Sequence, residues 1–157
     1  MGANIPRTLE RVTKIKSNYA KIGTILRRII TFGTFDVLHV GHVRILQRAK
    51  AHGDHLTVGL SSDELNFSKK GRNPIYPYSS RYELLSSMRF VDDVFMEESL
   101  EKKRDYILQH KADVLVMGND WEGKFDEFRD VCDVVYLPRT PSISTTEIIE
   151  IIRDVNG

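Results

Sequence analysis

A doubly wound α/β fold with five parallel strands is predicted by three features of the chain. Short apolar, β-prone runs alternate with helical patterns five times. The first run, Ile29-Ile30-Thr31-Phe32, breaks at Gly33 and leads into a helical pattern from Val40, which reads as strand, glycine turn, helix start. The four segments that follow strands in this reading (33–42, 61–63, 118–122 and 138–146) are all rich in Gly, Ser, Thr, Asp or Arg. In such a sheet ligands gather at the carboxyl ends of the strands.

The elements follow in order. From Thr8, a plausible N-cap, the apolar residues Leu9, Val12, Ile15, Tyr19, Ile22 and Leu26 form one stripe of an amphipathic helix, weakened at Gly23. Residues 1–28 carry seven cations against Glu10, a net of +6, which leaves −5 for the rest of a chain whose total is +1. They are expected to form a basic helical extension that packs on the domain or a second subunit, or lies on an anionic surface. The main domain is expected over 29–157. A helix from Val40 to about His52 ends at Gly53, and 55–60 is the second strand. Residues 61–78 are polar and read as a long loop with at most a short helical turn. Helix 79–90, strand 93–96, helix 102–110 and strand 113–118 follow. After a loop at 119–123 come a short helix at 125–129, a fifth strand at 134–137, and a last helix capped by Ser144.

Composition excludes several classes. The chain has 157 residues, 41% hydrophobic and 29% charged, the balance of a globular protein with room for a core. The small net charge gives no sign of nucleic-acid binding. Cys132 is the single cysteine, which excludes an internal disulfide and a multi-cysteine zinc site. No apolar run approaches the roughly 20 residues of a membrane span, and no secretory pattern opens the chain, so a cytoplasmic location is expected.

The chemistry concentrates at the end of the first strand. Gly33 is expected to let the backbone turn towards a ligand. His39 and His42, on one side of a first helical turn with Gly41 between them, sit where free N–H groups and the helix dipole favour an anion. Imidazoles there can donate to phosphoryl oxygens, or be cationic when needed. A basic segment with Lys69, Lys70 and Arg72 could fold over a triphosphate. Each feature also has a plainer reading. The histidines could be a metal pair or simple caps, the lysines a solvated face, and Asp120 a turn residue. Trp121 could be core or a flat cover for a ligand. Ser144-Thr145-Thr146-Glu147 is a capping box that can also hold an anion.

The motifs His39-Val40-Gly41-His42, preceded by Gly33-Thr34-Phe35-Asp36, and Ile143-Ser144-Thr145-Thr146 before the last helix resemble those of the cytidylyltransferase family, within the HxGH nucleotidyltransferase superfamily of Rossmann-like folds. Residues 31–42, 89–92, 117–126 and 134–140 carry the likeness, which is greatest to bacterial members acting on glycerol 3-phosphate. The run 117–126 is the most specific. The resemblance spans about 29–152 and implies transfer of the cytidylyl group of CTP to a small polyol phosphate. Glycerol 3-phosphate leads, with ribitol, erythritol, choline or ethanolamine phosphate as alternatives and a non-catalytic nucleotide-binding module as the contrary reading.

It further implies an Mg²⁺-assisted, in-line displacement, a homodimer, and a product used for a cell-surface polymer such as teichoic acid or capsule. By the same likeness His39, His42, Lys69 and Arg139 serve catalysis. Gly33, Thr34, Phe35, Gly41, Asp63, Gly118, Asp120, Trp121, Arg139, Thr140, Ile143, Ser144 and Thr145 line the nucleotide. Lys69, Arg72, Arg81, Arg89 and Asp36 lie towards the acceptor. No metal ligands are implied. The chain departs from the family pattern at Arg72, in a loop one residue longer and stiffened by Pro74 and Pro77, at Asn119, and at Pro141-Ser142.

Overall fold

A computed structural model describes residues 25–141 and 144–155. The helical extension expected at 1–28 lies outside them except for its last four residues, of which 25–27 are in no regular element and Arg28 opens the first strand; Ile143 lies outside them too. Five strands, β1 (Arg28–Gly33), β2 (His55–Ser61), β3 (Asp93–Glu97), β4 (Val114–Gly118) and β5 (Asp133–Leu137), form one parallel sheet in the order β3-β2-β1-β4-β5. The helices are α1 (Val40–Lys50), α2 (Asp63–Lys70), α3 (Tyr78–Ser86), α4 (Lys103–Gln109) and α5 (Thr145–Val155). Tight 3-10 turns at Asn119–Trp121 and Asp126–Asp130 join β4 to β5.

The period of two along β1 divides the core between the sheet's faces. Ile29 packs with Leu56, Val58, Val114 and Val116 under Leu46 and Ala49 of α1 and Leu85 of α3. Its neighbour Ile30 joins the opposite cluster, with Leu115, Met117, Ile107 of α4 and Phe128. Both faces are therefore covered, as a parallel sheet requires. α5 buries none of its residues, and Ile151 and Val155 stand 62% and 78% exposed. From β1 the chain winds outward to β3, then crosses to β4 and β5 on the other side. The strand order thus reverses between β1 and β4, and Gly33 and Gly118 end the two strands at that switch point.

Two expectations are corrected here. Residues 61–78 are not one long loop, because 63–70 are α2. Ser62 Oγ accepts the Leu65 N–H at 3.0 Å, Asp63 and Glu64 occupy its first turn, and Gly71 ends it in the left-handed region at φ 68°. Those signals outweigh its polar composition. Gly33 does not supply the turn. It is the last residue of β1, and a side chain there would meet the Phe35 ring at 2.8 Å, so the position needs room, not conformational freedom. The turn is made instead by Phe35 and Val37, at φ 50° and 45°. A β-branched residue in that region is strained by about 1–3 kcal/mol, which its surroundings must offset.

Candidate active site

α1 begins with an unusual cap. His39 is the N-cap in extended conformation, and its Nδ1 accepts the Gly41 N–H at 3.0 Å. In return His42 Nδ1 accepts the His39 N–H at 3.3 Å. This is the reciprocal geometry of a capping box, built from two imidazoles whose rings stack 3.9 Å apart. Both Nδ1 atoms act as acceptors, so each ring carries its proton on Nε2 and donates there. Burial, then the neighbouring His39, push His42 down to about 4, against an opposing pull from Asp36; burial also lowers His39. The pair is therefore neutral near pH 7. No acidic side chain stands in the first turn of α1 to offset the partial positive charge of its N-terminus. Two Nε2–H donors at an uncompensated helix start suit an incoming anion. Caps and anion donors were alternatives in the sequence; the geometry lets one pair of rings cap with Nδ1 and keep Nε2 for an anion.

The second jaw is the start of α5. Ser144 Oγ accepts the Glu147 N–H at 3.1 Å, as the capping box predicts. Thr145 Oγ1 donates to the Asp36 carbonyl at 3.0 Å, so this helix start is tied to the turn that leads to His39.

Two carboxylates and one arginine expected at a ligand are engaged within the protein. Asp36 accepts the Ile75 N–H at 2.7 Å and the Tyr76 N–H at 2.9 Å, and also the Val37 N–H. Asp63 accepts the Tyr78 N–H and pairs with Arg81 at 2.6 Å. Arg81 is fully buried. Its Nη1 donates to the Thr34 and Ser61 carbonyls, its Nε to the Tyr76 carbonyl, and its Nη2 to Asp63. The acceptor-side role expected of Arg81 is thus corrected. A side chain with no exposed surface and four internal hydrogen bonds braces the loop and does not face a ligand. Asp36 and Asp63, both half-buried, are engaged as well, Asp36 by three backbone N–H groups and Asp63 by one and by the Arg81 guanidinium.

Phe35 is buried and packs edge-on against His42 at 5.4 Å. Thr34 Oγ1 donates to Asn66 Oδ1, and buried Asn66 donates in turn to the Ser61 and Ser62 carbonyls. Gly118 leaves room for Asp120, whose Oδ1 would lie 2.5 Å from a side chain there. Trp121 is 38% exposed, with Phe125 tilted against it and the Lys124 ammonium 5.1 Å from its ring centre. Arg139 is exposed and Thr140 half-buried beyond β5. Arg72 is exposed in the segment after α2, and Arg89 in the turn before β3. Lys69 stands exposed in the last turn of α2; partial burial of its ammonium lowers its pKa, with Glu97 opposing.

Sequence reasoning missed the buried pair Lys103–Glu97. Glu97 ends β3 and also accepts the Ser61 hydroxyl at 2.8 Å, while the Lys103 ammonium lies 3.7 Å from the Phe32 ring centre. Burial lowers the Lys103 pKa, offset by Glu97. Lys103 sits in a helical pattern where lysine reads as surface, so its sequence gave no signal. Among the described residues no group of three or more His, Cys, Asp or Glu is arranged to hold a metal ion.

A sheet with its switch point at β1 and β4, and a histidine-capped helix start on that point, define a phosphate-handling α/β protein of nucleotide-binding type. The model of the cytidylyltransferase-like family matches residues 30–151. A glycerol-3-phosphate cytidylyltransferase of Bacillus subtilis is 50% identical over 125 residues, 80% of this chain and 96% of the relative. One of Staphylococcus aureus is 47% identical, over 78% of this chain and 92% of the relative. Among solved structures, a lipopolysaccharide core biosynthesis protein of Thermoplasma volcanium superposes with a TM-score of 0.63 at 26% identity, over 73% of this chain and 98% of that one. The chain belongs to the cytidylyltransferase-like family.

Proposed function

We propose that the protein transfers the cytidylyl group of CTP to sn-glycerol 3-phosphate, forming CDP-glycerol and pyrophosphate. One observation carries the choice of reaction: relatives at 45–50% identity, spanned almost end to end, bear the name of this activity. The site geometry fits the chemistry. An acceptor phosphate oxygen forms a bond to the α-phosphorus in line as the bond to pyrophosphate breaks, so the protein need only position the groups and stabilise charge.

His39 and His42 supply fixed Nε2–H donors to the charge that develops on the transferring phosphate. The N-terminus of α5, with Ser144 and Thr145, takes the outer phosphates, and Ile143 precedes it in the same motif. Arg139 and Thr140, with Gly33, Thr34, Phe35, Gly41, Gly118, Asp120 and Trp121, border the nucleotide. Lys69, Arg72 and Arg89 remain for acceptor and phosphate charge. Mg²⁺ would enter with CTP on its phosphates; among the described residues no group of three or more His, Cys, Asp or Glu is arranged to cage it. Bound there, it would neutralise phosphate charge.

A homodimer, a cytoplasmic location and a product destined for a surface polymer complete the reading. The exposed Ile151 and Val155 support a subunit contact. Among the described residues no helix is long and apolar enough to cross a membrane. Residues 8–28 would add a subunit or membrane-surface contact.

The test is pyrophosphate release from CTP and Mg²⁺ with glycerol, ribitol, erythritol, choline and ethanolamine phosphates side by side. Glycerol 3-phosphate is expected to give the highest kcat/KM. A higher value for another acceptor reassigns the substrate, and no release with any of them overturns the reading.

A further inference from the structure

The segment between α2 and α3 is exposed through residues 71–73, yet it is fastened at several backbone positions. Asp36 accepts the N–H groups of Ile75 and Tyr76, and Arg81 Nε donates to the carbonyl of Tyr76 at 3.0 Å. The amide and the carbonyl of Tyr76 are thus held by two residues, Asp36 of the turn after β1 and Arg81 of α3. Asp63 closes the far end by accepting the Tyr78 N–H. Asp36 is also flanked by the two left-handed residues Phe35 and Val37, and its carbonyl accepts Thr145 Oγ1. One residue therefore joins the strained turn before His39, the 71–77 segment with Arg72, and the start of α5. Arg81 joins the same segment to the ends of β1 and β2 through Thr34 and Ser61.

We propose that Asp36 and Arg81 are positioning residues that clip the Tyr76 backbone and thereby present Arg72 to the phosphates beside the histidine pair. Arg72's part rests on the function proposed above; the clip itself does not. The two carboxylate bonds offset strain at Phe35 and Val37, so loop position and turn conformation are one coupled state. Residues in one such network couple non-additively, and removing the clip should make Arg72 matter less.

Amide hydrogen exchange on the ligand-free protein tests the clip without reference to turnover. The Ile75 and Tyr76 amides are expected to exchange at least about tenfold more slowly than those of Arg72 and Asn73. In Asp36→Asn they should exchange about tenfold faster, while β1 and β4 amides keep their rates. In kinetics, Arg72→Ala should lower kcat/KM about tenfold in the parent but less than about threefold in Asp36→Asn. Unprotected Ile75 and Tyr76 amides in the parent overturn the proposal, and that arm decides even if Asp36→Asn fails to fold. Fully additive losses overturn it as well. A parent protein that turns over no acceptor sinks the function proposed above while the exchange result still decides the clip.

Discussion

The starts of α1 and α2 stand at neighbouring strand ends, yet they are built for opposite purposes. α2 neutralises itself: Ser62 caps it and Asp63 and Glu64 fill its first turn, so its dipole is answered from within the chain. α1 has no acid in its first turn, and its cap is made by two imidazoles that keep their outer nitrogens free to donate. The lesson is that a helix N-terminus attracts an anion most where the chain withholds its own compensation. α5 is intermediate, with a serine cap and Glu147 at its third position.

That contrast can be broken most severely at the histidines. His42→Ala removes a fixed donor and is expected to lower kcat about 10²–10³-fold, with KM for CTP changing much less. Steady-state kinetics check this, and a loss within a few-fold of the parent would take His42 out of the chemistry. His39→Asn separates the two duties of its side chain. Asparagine caps as well as any residue, so the melting temperature should stay within a few degrees, while kcat still falls about 10²-fold for want of the Nε2–H donor. Full activity in a variant that still folds would reduce His39 to a cap.

At α5, Ser144→Ala should cost about 1 kcal/mol of stability through the lost cap and raise the KM for CTP several-fold. Calorimetry and kinetics on the same sample separate those effects. Acid acts more gradually. The folded pKa of His42, about 4, lies below its ordinary value, so the unfolded chain binds the proton first. Stability from this group is complete above about pH 6.5 and declines as pH falls towards 4, which denaturant titrations across that range would register. Stability that rose on acidification would give the wrong sign.

How far the sequence reached depends on the kind of interaction. Strands buried on both faces announce themselves as apolar runs, and all five lie where the sequence places them, within a residue or two. α2 was hidden because only Leu65 and Phe67 interrupt its polar run, although Ser62, Asp63 and Gly71 spelled its caps. Charged residues were the hard cases. Arg81 and Asp63 lie 18 positions apart, Asp36 and the Tyr76 backbone 40, and Lys103 and Glu97 look like surface, so only tertiary structure shows that they satisfy one another. The strained Phe35 and Val37 were illegible for a further reason: local preference argues against left-handed backbone at both residues.

The central claim is that His39 and His42 serve as neutral Nε2–H donors because their Nδ1 atoms cap α1. Nitrogen-15 NMR of histidine-labelled protein, titrated from pH 8 to pH 4, reads the proton on each ring nitrogen directly. Both rings should be neutral at pH 7 with the proton on Nε2, and His42 should gain charge only near pH 4. A cationic ring at pH 7, or a neutral one with its proton on Nδ1, would contradict the account.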